Sequence, residues 1–211
     1  MSDTLDMTMM HAMHNALRRE AEHLARVTAR FDGDPRSTLC TAVGWDLLKK
    51  SLHVHHTAED QVLWPALRQA LANRPEDLTL LEALEAEHAA IAQVVEVIDL
   101  ALTDPEFGLD RLGDLTDSLV TGLTGHLTHE EDKALPLIHA VVSQEQWARF
   151  GEVHGRQMGS EAHRLLPWLL DGASGQTITT MLASLPEPAY QAYRHQWQPA
   201  YTSLDRWSAA P

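Results

Sequence analysis

Two segments of the sequence place a histidine four residues before a glutamate. The first holds His55 and Glu59, and the second holds His126 and Glu130. In both segments a proline follows ten residues after the histidine, so the two repeat one plan. Four residues are about one turn of an α-helix, which puts the imidazole and the carboxylate on one face, within reach of a single metal ion. We predict that the two segments face each other across a metal centre.

Two further histidines fall on apolar helical faces, His14 near Leu17 and His88 between Leu84 and Ile91. Nitrogen and oxygen donors in a helical core cost free energy unless a partner satisfies them. Two metal ions satisfy them if two histidines cap each ion and the glutamates bridge both. Mixed imidazole and carboxylate donors favour iron, with manganese as the alternative, over a closed structural zinc site. The predicted metal ligands are His14, His55, Glu59, His88, His126 and Glu130.

The elements that must position these residues are four long amphipathic helices. Apolar residues recur at helical spacing over residues 6–31, 37–72, 76–102 and 107–140, and Pro65 predicts a kink or local break in the second helix. Short connections containing proline or glycine favour an all-α, up-down-up-down four-helix bundle over residues 1–140. Residues 141–211 are predicted to add two to four short helices, the first beginning near Ser143, packed on the bundle as a helical extension. Extra core is the favoured role of this extension, and a dimer surface or a lid is the alternative.

Composition restricts the classes of partner and the compartment. The 211 residues include 16 Lys and Arg against 30 Asp and Glu, a formal charge of -14, which argues against binding to nucleic acid or to an anionic membrane. The N-terminus has no signal-peptide pattern, and no apolar run is long enough to cross a bilayer. The lone cysteine, Cys40, cannot form an internal disulfide. We expect a cytoplasmic protein.

The order of these residues resembles the hemerythrin-like (HHE cation-binding) family of non-heme di-iron proteins. The resemblance lies in His14-x-x-Leu17-Arg18-Arg19-Glu20, His55-His56-x-x-Glu59-Asp60, Glu87-His88 and His126-x-x-His129-Glu130-Glu131, and it covers residues 10 to 140. The C-terminal region is similar to the extension of some actinobacterial members. The resemblance implies two iron ions in an Fe–O–Fe type centre that binds dioxygen, peroxide or nitric oxide.

The sequence departs from the oxygen-carrying hemerythrins at two ligand positions. Those proteins have a second histidine one turn from the third-helix ligand, where this chain has Leu84 and Ala92, and an aspartate five residues after the last histidine, where Glu130 stands at four. The missing imidazole leaves a vacancy or a water, or is replaced by a residue such as Glu85 or His129. A less saturated iron pair favours redox chemistry over simple oxygen carriage.

Three functions are compatible with these sequence features. The first is a redox-active di-iron protein, leaning towards an oxidoreductase that uses dioxygen or peroxide. The second is a di-iron oxidase in specialised metabolism with a small organic substrate, for which the acidity suggests an amine. The third is a non-enzymatic oxygen or iron sensor that works through a partner, and a homodimer is also considered.

Other polar residues are expected to support the ligands from outside or to lie at the surface. Asp60 and Glu131 are expected to support the ligands, and His129 is ambiguous between this role and lining an access path. The remaining histidines are expected at the surface, at helix caps or around the ligands: His11, His23, His53, His56, His139, His154, His163 and His195.

Overall fold

The computed structural model describes residues 4–29, 35–39, 42–104 and 106–207, so Cys40 and the predicted end of the first helix at residue 31 lie outside the described residues. The described residues are helical with short connections and no strand. Four long helices make the bundle, as the sequence predicts: α1 (Thr8–Thr28), α3 (Val43–Ala58), α5 (Pro75–Thr103) and α6 (Leu109–His129). Helices α1 and α5 each pack against both α3 and α6, which gives the predicted four-helix arrangement.

The second and fourth helices continue beyond the bundle through an irregular turn. Residues Glu59–Leu63 and Glu130–Ala134 form π-helical turns, and these lead into α4 (Trp64–Ala70) and α7 (Leu135–Val141). The irregularity predicted at Pro65 is therefore a widened turn, and the helix resumes after it. The predicted helical stretch over 37–72 also begins differently, because a separate short helix, α2 (Pro35–Leu39), precedes α3.

The described part of the C-terminal region forms five α-helices packed on the bundle, which is more than the predicted two to four. They are α8 (Gln144–Met158), α9 (Ala162–Leu170), α10 (Gly175–Ala183), α11 (Glu187–Ala192) and α12 (Gln198–Thr202). Ser143 caps α8, because its hydroxyl accepts from the Gln146 amide and the Gln146 side chain accepts from the Ser143 amide, so the predicted start is confirmed. Helix α8 packs on α3, and α9 and α10 pack on α1. The division into domains at residue 140 stays a prediction.

Trp207 fastens the end of the described chain to the bundle. Its indole N–H donates to Glu20 Oε2 at 2.7 Å, and its ring stacks on His23 with centroids 6.1 Å apart. Gly44 makes room for this indole, since a Cβ at position 44 would overlap the ring. The extension is therefore fixed against α1 and α3. Among the described residues, no helix has the length and apolarity needed to cross a membrane.

Candidate metal centre

A polar layer interrupts the apolar interior at the same level of all four bundle helices. On α1, His14 lies between Met10 and Leu17, which belong to different apolar clusters. On α5, His88 separates Leu84 from Ile91 in the same way. The fold therefore brings one buried histidine from each helix to the boundary between two apolar clusters.

The first group of potential ligands lies between α1, α3 and the two π-helical turns. It comprises His14, His55, Glu59 and Glu130, whose ligand atoms lie within 4.8 Å of one another. The Nε2 atoms of His14 and His55 are 3.1 Å apart. Glu130 Oε2 lies 3.3 Å from His14 Nε2, and Glu59 Oε1 lies 3.3 Å from His55 Nε2. This group offers two nitrogens and two carboxylates to one ion.

The second group consists of three buried histidines, His56, His88 and His126, whose ligand nitrogens also lie within 4.8 Å of one another. The ring of His56 stacks on that of His88, with centroids 3.7 Å apart and an interplanar angle of 8°. The ring of His126 meets both of these rings edge-on. The second group offers three imidazoles to an ion.

The two glutamates join the groups. Glu59 Oε2, on the side away from His55, lies 3.6 Å from His88 Nε2. Glu130 Oε2 lies 3.7 Å from His126 Nε2 as well as 3.3 Å from His14 Nε2. Each carboxylate thus lies within 3.7 Å of a histidine nitrogen of both groups, so the two groups form one continuous cluster of donors.

The hydrogen-bonding state of these atoms fits a metal centre. Both carboxylate oxygens of Glu59 and of Glu130 are buried without a hydrogen-bond donor among the described residues. The same holds for Nε2 of His56, His88 and His126. Unpartnered buried polar atoms are rare and cost free energy, so such a concentration requires something that satisfies it. A bound metal would satisfy these atoms, and the donor set suits iron.

The π-helical turns begin at the two glutamates. The carbonyl of Glu59 accepts from the Trp64 amide, and the carbonyl of Glu130 accepts from the Leu135 amide, both five residues on. Pro65 and Pro136 follow directly and have no amide hydrogen for an ordinary helical hydrogen bond. A widened turn before each proline accommodates the missing hydrogen bond, and the helix then continues. The repeated proline thereby places each wide turn at a glutamate of the centre.

Carboxylates support three of the histidines from behind. The Nδ1 atoms of His14, His88 and His126 lie 2.8–2.9 Å from carboxylate oxygens of Glu131, Asp60 and Glu87, respectively. Such contacts fix the tautomer and orientation of a ligand imidazole and make its other nitrogen more basic. The two terminal nitrogens of the Arg18 guanidinium, Nη1 and Nη2, donate to Glu131 at 2.8 and 2.7 Å, so the support of His14 is itself held in place. Asp60 and Glu131 therefore each contact a predicted ligand, and their supporting role stays a prediction.

Burial shifts the protonation of three of these residues before a metal binds. It lowers the pKa of His55 and His56 well below their usual range, which keeps both imidazoles neutral and able to bind a metal. Burial, together with the charge of Glu130, raises the pKa of Glu59 well above its usual range. A proton held by Glu59 is displaced when a cation binds, so metal binding is coupled to proton release.

The structure brings all six predicted ligands together and adds His56, which the sequence analysis expects at the surface or in support. His56 is buried beside His88, so it offers a nitrogen in place of the missing imidazole. The proposed substitutes lie elsewhere: Glu85 pairs with Arg68, and His129 Nδ1 contacts Glu87 at 2.9 Å. Glu87 was missed as a supporting residue, although its position directly before His88 was visible in the sequence.

Comparisons with known proteins agree with this geometry. The profile of the family described as the hemerythrin HHE cation binding domain matches residues 6–138. The chain is also 25% identical over 170 residues to a BRUTUS-like zinc finger protein of Arabidopsis thaliana. That match covers 75% of this chain but 14% of the plant protein, so the chain spans a small part of that relative. No solved structure matches the chain.

Proposed function

Because the chain belongs to the hemerythrin HHE cation-binding domain family, we propose that it binds two iron ions and reacts with dioxygen or a small oxidant such as peroxide. His14, His55, Glu59 and Glu130 would hold one ion, and the second histidine group would hold the other with the same two glutamates. Bound iron supplies the electrons that reduce the oxidant. The protein residues hold the ions together, exclude water and tune how readily those electrons are released.

The two groups together contain five imidazoles, one more than the sequence predicts. The expectation of redox chemistry starts from a missing third-helix histidine, but His56 offers a nitrogen in its place. The number of imidazoles therefore does not separate an oxygen carrier from a redox-active centre. If the two glutamates are shared, the first ion would have four protein donors and the second would have five, so the first ion would have more room for an external ligand.

The observation that favours redox chemistry is the set of three carboxylates behind the ligands. Asp60, Glu87 and Glu131 lie against Nδ1 of three histidines at 2.8–2.9 Å. Negative charge at these positions makes the imidazoles stronger donors and stabilises the oxidised metal. A centre that strongly favours its oxidised state transfers electrons to an oxidant and does not return to the reduced form when the oxidant is removed. We therefore assign the chain a role in reducing dioxygen or peroxide.

A reoxidation experiment tests this assignment. Iron-loaded protein, reduced without air, should oxidise irreversibly when dioxygen is added. It should consume peroxide over repeated cycles only when an added chemical reductant restores the ferrous state after each round. Asp60→Asn should raise the reduction potential and slow reoxidation, because it removes the negative charge behind His88. The matched control is Asp132→Asn, which changes an exposed acid. A spectrum that reverts on removal of dioxygen would instead support carriage or sensing.

An organic substrate is the second candidate, favoured by a cavity beside the centre. The cavity has a volume of about 670 Å³ and is lined by residues of α3 and α5, including His56 and His88. This volume lies within the range of small-molecule sites. The extension contributes no lining residue, so a role as a lid over this cavity has no support.

A further inference from the structure

The groove between α3 and α5 combines an apolar floor with carboxylates. Leu52 on α3 and Ala89, Ala92 and Val95 on α5 line its middle section. At its far end Leu100 is 63% exposed and is one of three large apolar side chains exposed among the described residues. Surfaces of this kind, rimmed by polar groups, are typical of binding grooves.

The charge of the groove is negative. Four carboxylates and one lysine line it, which gives a formal charge of −3 with the histidines neutral: Asp60, Glu85, Glu96, Asp99 and Lys49. The lysine does not offset the remaining acids, because its Nζ contacts both oxygens of Asp99 at 2.6 and 2.7 Å. Glu85 is paired with Arg68, which leaves Asp60 and Glu96 as the acids without a cation.

These two acids stand at different points along the groove. Asp60 uses Oδ1 to contact His88 and lies at the end next to the second histidine group. Glu96 has no hydrogen bond or ion pair with any described residue and lies two helical turns beyond His88, roughly 12 Å along α5. The apolar floor runs between them. A ligand that complements both the carboxylates and the apolar floor carries a positive charge on an apolar body.

We propose that this groove binds an organic ammonium ion with an aliphatic body, its charge facing the groove carboxylates and its carbon chain lying on the floor formed by Leu52, Ala92 and Val95. A molecule bound in this groove lies against His56, His88 and Asp60, beside the metal ligands. Only its access to the metal centre rests on the proposed function. The binding itself needs no reaction.

Calorimetry with the iron-loaded protein tests the groove. Octylammonium should bind at least threefold more tightly than the neutral alcohol 1-octanol, because only the former gains from the carboxylates. Glu96→Gln should weaken octylammonium binding about threefold, as expected for an exposed charge, without changing octanol binding. Ala92→Phe places a ring in the groove and should weaken both by more than about tenfold. Glu82→Gln, an exposed acid on α5 outside the groove, is the matched control.

Two results would overturn the groove assignment. One is equal affinity for octanol and octylammonium, unaffected by Glu96→Gln. The other is a homodimer that Ala92→Phe dissociates, since a second copy would then cover the groove. Iron content and reoxidation by dioxygen are measured on the same samples without amine. Their loss counts against the proposed function, whereas their retention without amine binding counts against the groove alone.

A second inference concerns His55, which differs from the other ligand histidines in its support. Its Nδ1 is buried and has no hydrogen-bond partner among the described residues, whereas Nδ1 of His14, His88 and His126 each contacts a carboxylate. Metal-bound histidines almost always donate the second ring N–H to an acceptor. An acceptor for His55 is therefore needed near this nitrogen.

The C-terminal extension supplies a buried polar side chain next to the His55 ring. His154 of α8 is 2% exposed, its ring lies edge-on to that of His55 with centroids 6.2 Å apart, and its Nε2 has no partner among the described residues. Ser51, one turn before His55 on the same face of α3, has a buried hydroxyl that also lacks a partner. Ring centres 6.2 Å apart are too distant for a direct bond between ring nitrogens.

We infer that one water joins His55 Nδ1, His154 Nε2 and the Ser51 hydroxyl, and that His154 acts through it as a positioning residue for His55. About three hydrogen bonds are typical of a buried water, and three unpartnered atoms are available. In this arrangement His55 donates to the water and the water donates to His154. His154 lies outside residues 6–138, so the extension completes the support of a site built by the bundle.

Iron affinity measured by competition with a chelator tests His154. His154→Phe keeps a ring but loses the acceptor, and it should weaken the binding of one of the two ions about tenfold and shift the ferric absorption bands. His154→Gln restores an acceptor and should recover most of the affinity, which a purely space-filling role would not require. His195→Gln, an exposed histidine of the extension, is the control. Wild-type iron affinity and spectrum in His154→Phe would overturn the inference.

Discussion

Glu130→Ala is expected to leave the protein with almost no bound iron. The carboxylate lies 3.3 Å from His14 Nε2 and 3.7 Å from His126 Nε2, so it serves both groups. Its loss removes a donor from each ion and one of the two negative charges that offset the cations at the centre of the layer. Loss of a supporting residue alone weakens metal binding ten- to a hundredfold, so loss of a shared ligand should exceed about a hundredfold at both positions.

Iron per chain is measured after purification and again after anaerobic reconstitution. Glu130→Gln keeps the side-chain shape without the charge, which separates loss of the ligand from loss of packing. Asp132→Ala removes an exposed acid from the same π-helical turn and should retain both ions. Circular dichroism establishes that the variants remain helical. Two ions per chain in Glu130→Ala would show that the glutamates do not bridge, and the ligand assignment would fail.

Much of the centre is predictable because helix geometry links spacing to direction. His55 and Glu59 had to share a face once the segment was helical, and the apolar residues around His88 directed that histidine inwards. The family profile over residues 6–138 confirms the family that these spacings indicated. The prediction of an all-α bundle with a C-terminal helical extension is also confirmed, because helical periodicity of apolar residues indicates helices directly.

His56 escaped prediction because of the same geometry. Adjacent residues on a helix point about 100° apart, so two neighbouring histidines cannot both bind one ion. The structure resolves this with two groups: His55 faces the first and His56 faces the second. The predicted centre already held two ions, so the doubled histidine His55-His56 was the available signal that one helix could offer an imidazole to each group.

The π-helical turns and the place of His154 depend on information that periodicity does not carry. Pro65 indicates an irregular helix but does not tell a kink from a wide turn, which depends on packing around Glu59. His154 comes from α8, about one hundred residues after His55, and a contact of that kind is set by how the extension docks. Trp207 in the space above Gly44 is part of this docking and has no local sequence signal.

His56→Phe is expected to lower the iron content from two ions per chain to one. His56 Nε2 is buried and unpartnered among the described residues, and it belongs to the group of His88 and His126. Phenylalanine retains the volume and the stacking on His88 but has no nitrogen, so the effect reports on coordination. The first group keeps all four of its donors and should retain its ion.

Three matched variants test whether His56, and not another residue, replaces the missing third-helix imidazole as a metal ligand. His53→Ala changes an exposed histidine one turn earlier in α3 and should keep both ions. Glu85→Gln and His129→Gln should also keep both, because Glu85 is held by Arg68 and His129 by Glu87 outside the two groups. If either of these two loses an ion while His56→Phe keeps both, the second ion is bound by that residue. If only His56→Phe loses an ion, the fifth imidazole comes from the same helix as His55, and the two ions are held at adjacent positions of α3.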